Sequence, residues 1–392
     1  MSFAPKNVAI LGQNKAVSPH ALVSYRVNKS LHGPEIFEEI AIGQTVGAWD
    51  ERHVSAEILG QQVAKVMSIR ESDDSLEATL AFPFALWSGD LSWLLTLIFG
   101  KMSFYKGVTL AALEFEKGCL SHGLVAGPQT SIESIRKRVG VHSNSPLLMG
   151  ILKPNVAMSA QALADLYAEV GDAGVHLVKD DEIRHDASFD MTLKRVERVA
   201  QRKLRDNLNT LYVVHAPVTA QTLKDPVDWC KQLESAGADA LLVNVWTCGL
   251  SVFQQLRQAT KLPLVAHPAL AGALGQGNNT DAIAPSVLLG TLMRAAGADL
   301  TLFPSPYGKI GLPVEAARAV ADECRSPWQD RILPTIPVPS AGIKPEHVEA
   351  ACHDFGADFI LNAGTAIFAS GVSVADSARK FLRNMEALIG EK

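Results

Sequence analysis

The chain changes its hydrophobic rhythm near residue 140. Before that point the segments are mixed. VSYRV and SLEATLAFPF read as strands, while HVSAEILGQQVAKV and DLSWLLTLIFG read as helices. The stretch ALEFEKGCLSHGLVAGPQTSIESIRKRVGVHSNSP carries many turn residues and reads as a connection. From residue 145 the text becomes regular. Eight short apolar runs alternate with helical windows: LLMGILKP, VHLVKDDE, TLYVVHAP, ALLVNVW, PLVAHP, DLTLFP, PTIPVPS and DFILNAG. Near-continuous apolar runs are what strands buried on both faces require. In the first helical window Ser159 is a capping residue. Leu163, Leu166 and Val170 share one face, and Gly174 ends it.

A second regularity sits on top of the first. AGVHL, AGADALL, AGADLTL and FGADFIL place glycines at 174, 237, 297 and 356, spaced by 63, 60 and 59 residues. Each repeat is two strand–helix units, so four repeats make eight. Eight parallel units close as a barrel. An open doubly wound sheet is the competing architecture. It calls for a glycine-rich turn after the first run, where this chain has KPNVAMS. The expected fold is α/β: a C-terminal (β/α)8 TIM barrel over residues 141–392, preceded by a smaller α+β domain over 1–140.

Composition narrows the class. At 392 residues the chain has room for a barrel of about 250 residues and a companion. It is 47% hydrophobic and carries 36 basic against 41 acidic residues, net −5. No basic block suggests nucleic acid or an anionic membrane. LSWLLTLIFG is about half a membrane span, and MSFAPKNVAI does not resemble a signal peptide. The five cysteines, 119, 230, 248, 324 and 352, form no C-x-x-C pair and read as reduced thiols in a cytoplasmic protein.

In a parallel barrel the site lies at the C-terminal ends of the strands. Those ends carry Lys153-Pro154-Asn155, Lys179-Asp180-Asp181-Glu182, His215, His267, Lys309 in SPYGKIG, Ser340-Ala341-Gly342, and Asn362-Ala363-Gly364-Thr365. Four consecutive ionisable residues after VHLV are the sharpest signal. Period two turns Lys179 and Asp181 inward and Asp180 outward, with Glu182 able to swing in. Two converging carboxylates suit a hard cation such as Mg²⁺, yet a lysine ammonium repels a metal. A solvated charged turn is the competing reading. The small residues ending the seventh and eighth runs suit a phosphate cradle or simple tight turns. His215 and His267 read as well as hydrogen-bonded barrel histidines as they do as catalysts, whereas a lysine at the first strand end is rarely idle.

Together these residues resemble the large-subunit family of ribulose-bisphosphate carboxylase, and within it the RuBisCO-like proteins. The likeness runs through GILKPNVAMS, VKDDE, His267 in VAHP, YGK, PVPSAGI and LNAGT. It extends to IAIGQTVGAWDE and LLTLIFGKMS in the N-terminal part. The resemblance implies that Lys179 reacts with CO₂ to form a carbamate, which ligates Mg²⁺ with Asp181 and Glu182. It implies catalytic roles for Lys153, His267 and the loop lysine Lys309. Substrate or phosphate contacts fall to Trp49, Ser340, Ala341, Gly342, Ala363 and Gly364. It also implies a homodimer with composite sites, no small subunit, and Lys101 of IFGKMS as a general base reaching across the interface.

The departures from true carboxylases matter equally. Asn155 stands for the second lysine of Lys-Pro-Lys, Gly43 for a glutamate, and Pro268 for an arginine. Ala271 and Leu302 stand for histidines, and Leu97 for an asparagine. Groups that carboxylate, cleave and hold a second phosphate are thus missing. What remains implies a non-carboxylating Mg²⁺-dependent enzyme acting on a phosphorylated keto-sugar or keto-acid through an enediolate. Enolisation or isomerisation of methylthio-sugar phosphates leads. The alternatives are decarboxylation of a branched 3-oxo-acid sugar phosphate and a catalytically silent relative that regulates or binds.

Overall fold

The computed structural model describes residues 19–47, 53, 55–121, 125–141, 144–156, 158–275, 282–328, 332–368 and 371–390. Its N-terminal part is a four-stranded antiparallel sheet of β1 (His20–Asn28), β2 (Lys65–Glu71), β3 (Ser75–Pro83) and β4 (Val108–Phe115), in the order β2-β3-β1-β4. Alternation builds it: Ala21, Val23, Tyr25 and Val27 of β1 all face the core. The helix Ile36–Gly43 buries Ile36, Phe37, Ile40 and Ala41.

Two expectations change here. HVSAEILGQQVAKV is helical only over Ala56–Gln62, and its tail starts β2. The first residues of the expected connection belong to β4, because VTLAALEF pairs with β1 from Val108 to Phe115. The segment DLSWLLTLIFG is helical as read. Asp90 caps it, accepting from Trp93 N at 2.8 Å. Its second half, Thr96–Gly100, widens to a π-helical turn that buries Ile98 and Phe99 and leaves Lys101 exposed.

The eight apolar runs become eight parallel strands: β5 (Leu147–Ile151), β6 (Leu177–Lys179), β7 (Leu211–His215), β8 (Ala240–Asn244), β9 (Leu264–His267), β10 (Leu300–Pro304), β11 (Ile336–Ser340) and β12 (Ile360–Ala363). Pairing runs unbroken from β11 down to β5 and on to β12, a nearly closed barrel. The seam between β11 and β12 is crossed by Asn362 Nδ2, which donates to Ser340 Oγ at 2.7 Å. The four repeat glycines adopt left-handed φ of 95°, 102°, 93° and 77°, so the repeat is a helix-ending device. Ser159 accepts from Ala162 N at the start of the first barrel helix, as its position implies.

β4 bridges to residues 282–284, a segment of the barrel part outside its strands. Leu110 N donates to Ala282 O at 3.0 Å, and Ala284 N donates to Leu110 O at 2.9 Å. At the barrel floor, fully buried Asp299 accepts from Arg257 at 2.6 Å and from the amides of Gln129, Thr130 and Leu264. This ties the connecting segment to β9 and β10. Among the described residues no helix is long and apolar enough to cross a membrane.

Candidate active site

The segment after β6 splits its charges between two sides. Asp180, fully buried, faces outward into a structural network. It accepts from Arg195 at 2.6 Å, Tyr212 Oη at 2.7 Å, His215 N at 2.9 Å and Asn155 Nδ2 at 3.2 Å. Arg195 also meets Asp186 at 2.9 Å, and Arg184 bonds both Asp186 and the Asn155 carbonyl. None of Arg184, Asp186, Arg195 and Tyr212 stood out in the sequence. Arg184, Asp186 and Arg195 lie in helical and loop text and Tyr212 within the apolar run of β7, with no motif to mark them. Asn155, 2% exposed, belongs to this network, so the position where carboxylases carry a second lysine serves the scaffold here.

Lys179 and Asp181 take the other side, as period two requires, and Glu182 swings in beside them. Lys179 is 0% exposed and Asp181 4%. Lys179 Nζ donates to Asp180 O at 2.9 Å and lies 3.4 Å from Glu182 Oε2. Lys153 Nζ donates to Asp181 Oδ2 at 2.5 Å. His267 Nε2 approaches the same Glu182 oxygen at 3.4 Å. Five predicted residues from three strand ends therefore form one cluster. Burial pushes the Lys179 ammonium down against the opposing pull of Glu182 and Asp181. Burial, then the Lys179 charge, push His267 down to about 2. His267 is thus neutral, and its contact with Glu182 is polar without being an ion pair.

A cavity of about 420 Å³ opens over the cluster, a size suited to a small metabolite. Its polar lining comes from Lys153, Lys179, Glu182, His267 and the turns Ser340–Gly342 and Gly364–Thr365. Its apolar lining includes Pro268, Ala271, Leu288, Leu289, Leu302 and Leu312. Three of the sequence departures, at 268, 271 and 302, are in that apolar part. Gly364 serves close approach: a Cβ there would lie 3.3 Å from Lys153 Cε and 3.2 Å from Ile151 Cδ1.

Other predicted residues lie differently. Ala363 is buried within β12, and the lining passes to Gly364 and Thr365. Lys309 is exposed on its loop, where Ile310 faces the cavity in its place. Lys101 is exposed in the N-terminal part, its Nζ 3.8 Å from where a Gly43 Cβ would be, and it does not line the cavity of its own chain. His215 is pinned by Arg184 O at 2.8 Å and Asn244 at 3.3 Å. Trp49 lies outside the described residues.

Could the cluster hold Mg²⁺? Among the described residues no three His, Cys, Asp or Glu side chains form a ready cage. Two carboxylates and a buried lysine are present. A third anionic oxygen ligand exists only if that lysine is converted to a carbamate. The donor set then fits a hard divalent ion.

An eight-stranded barrel with lysines, carboxylates and small-residue turns at the strand ends has the site placement of a barrel enzyme. The family model for the ribulose bisphosphate carboxylase large chain, catalytic domain, matches residues 131–391. The chain is 38% identical over 368 residues to a 2,3-diketo-5-methylthiopentyl-1-phosphate enolase from Microcystis aeruginosa, covering 92% of this chain and 91% of that one. It is 36% identical to the enolase of the same name from Bacillus licheniformis, covering 90% and 88%. A solved rubisco-like protein (MtnW) from Alicyclobacillus acidocaldarius superposes with a TM-score of 0.83 at 30% identity, over 95% and 94% of the two chains. The chain belongs to the ribulose bisphosphate carboxylase large-chain family, on its rubisco-like branch.

Proposed function

We propose that this protein is a non-carboxylating enolase that moves a proton on a phosphorylated diketone of the 2,3-diketo-5-methylthiopentyl-1-phosphate type. The observation that carries the reading is the mixed lining of the cavity. Its polar residues form one charged cluster and the turns Ser340–Gly342 and Gly364–Thr365, and the rest is apolar, with Pro268, Ala271 and Leu302 where carboxylases carry an arginine and two histidines. A substrate with one phosphate and an apolar tail fits; a second phosphate does not. The enolases among its relatives favour proton transfer over decarboxylation.

Charge balance supports the pairing of CO₂ with Mg²⁺. Lys153 and Lys179 now offset Asp181 and Glu182. Carbamate formation turns one cation into an anion, leaving a deficit of two that a divalent ion neutralises. A lysine amine must be neutral to attack CO₂, and burial favours that form of Lys179. When bound, Mg²⁺ supplies Lewis acidity toward neighbouring substrate oxygens. Lys153 is held beside Asp181 so that its ammonium faces the developing enolate, and neutral His267 orients Glu182. The phosphate is anchored at Ser340–Gly342 and Gly364. Lys101, from the second copy of a homodimer, is the general base.

The test is enolisation of the diketone phosphate with Mg²⁺, with and without CO₂. Activity is expected to require both and to vanish in Lys179→Ala with the fold retained. Full activity after exhaustive CO₂ removal would sink the carbamate. Sustained incorporation of labelled CO₂ into ribulose 1,5-bisphosphate would sink the non-carboxylating assignment.

A further inference from the structure

We propose that Ser305 is a positioning residue: it aims the backbone amides of Ala341 and Gly342 at the substrate phosphate. The proposal rests on the phosphorylated-substrate reading above. Ser305 directly follows β10 and is 0% exposed. Its N–H donates to Ser340 O at 2.6 Å, and its hydroxyl donates to Ala341 O at 2.9 Å. In a planar trans peptide the C=O and the N–H point in opposite directions. Fixing Ser340 O therefore turns the Ala341 N–H away from Ser305. Fixing Ala341 O does the same for the Gly342 N–H. Among the described residues neither amide meets an acceptor, and both residues line the cavity. Two adjacent free N–H groups facing one space are an anion cradle.

The turn needs such a restraint. Ala341 holds φ +65° and Gly342 +71°. A non-glycine residue stays in that region only where its surroundings over-determine it. Ser305 supplies two of the fixing bonds and is itself held from behind. Its Oγ accepts from Tyr307 N at 3.3 Å. Tyr307 Oη donates to Asp354 Oδ2 at 2.6 Å, and Arg318 donates to Asp354 Oδ1 at 2.6 Å. Gly308 presses on the same turn, since a Cβ there would lie 2.6 Å from Ala341 O. The start of the Lys309 loop and the phosphate turn are thus one packed unit. A charged side chain is not required, which is why the serine of SPYGKIG drew no notice beside Lys309.

Inorganic phosphate titrated into the full-length protein by calorimetry reads the cradle directly. Ser305→Ala is expected to weaken phosphate binding about tenfold, the worth of one lost orienting hydrogen bond. KM for the diketone phosphate should rise by a similar factor and carry most of the effect, with kcat falling less. A general structural role would instead broaden the unfolding transition and depress both parameters. Should Ser305→Ala fail to fold, Tyr307→Phe decides, because it removes only the outer support. It is expected to weaken phosphate about threefold. Phosphate binding unchanged in the folded variant, or absent in the wild type, overturns the proposal. Binding that depends on Ser305 in a protein that does not enolise the diketone upholds it and overturns the enolase reading instead.

Discussion

Successive residues of the Lys179–Glu182 segment serve opposite sides of β6. Asp180 is spent on Arg195, Tyr212 and Asn155, while Lys179 and Glu182 line the cavity and Asp181 holds Lys153. That division was legible from the sequence, because a two-residue period assigns faces without knowledge of the fold. The partners of Asp180 were not, since they arrive from three other parts of the chain: the helix Phe189–Arg205, β7 and the segment after β5. Gly364 shows a finer constraint at the same scale. A methyl group there would press on Lys153 Cε at 3.3 Å and Ile151 Cδ1 at 3.2 Å. Lys153 would give by a few tenths of an ångström and loosen its 2.5 Å bond to Asp181. Gly364→Ala is therefore expected to lower kcat about threefold to tenfold with the fold intact, as small displacements of positioned groups do. Steady-state kinetics beside circular dichroism checks it. Unchanged kcat would mean that Lys153 tolerates the shift.

At the scale of elements, legibility followed burial. All eight barrel strands were readable because each is buried on both faces, and a repeated helix-ending glycine precedes every second one. In the N-terminal part β4 was missed: Thr109, Ala111 and Ala112 blur its alternation, and its identity comes from pairing with β1. The helix-to-strand switch at Lys65 was missed for a related reason, because Met67 and Ile69 of edge strand β2 are apolar yet about half exposed. The joint between the parts rests on Asp299 at the start of β10. Its carboxylate collects one guanidinium and three backbone amides with no access to water. Removing it would strand Arg257 and those amides. Asp299→Ala is expected to cost about 3–5 kcal/mol of stability, read as a shift of the denaturant midpoint. A loss below about 1 kcal/mol, the worth of an exposed pair, would show that the connecting segment is held by packing alone.

At the scale of the molecule, one chain holds the metal and phosphate sides of the proposed site but presents Lys101 elsewhere. Exposed apolar residues lie on both of the surfaces that must meet. Trp93 and Phe104, 60% and 89% exposed, flank Lys101 in sequence. Ile183, Leu270 and Ile310, 67%, 58% and 71% exposed, follow the strand ends at the cavity. Such surfaces are what a second copy would cover, and an isologous dimer would deliver each Lys101 to the other barrel. Gly43, where carboxylases have a glutamate, lies against Lys101 and leaves its amine unpaired by that acid. If Lys101 is the base, Lys101→Ala should lose about 10²–10⁴ in kcat while phosphate still binds. Lys179→Ala is inactive through the other half of the site. Mixed and exchanged, the two inactive proteins form heterodimers in which one site has both Lys101 and Lys179 and the other has neither. With random exchange, half the dimers are mixed and half their sites are whole, so roughly a quarter of wild-type turnover should return. Rescue that grows with exchange time and stays absent when the proteins are merely assayed together would assign Lys101 to the partner's site. Near-normal turnover of Lys101→Ala alone, or no rescue after complete exchange, would remove Lys101 from the reaction and favour a chemistry that abstracts no proton.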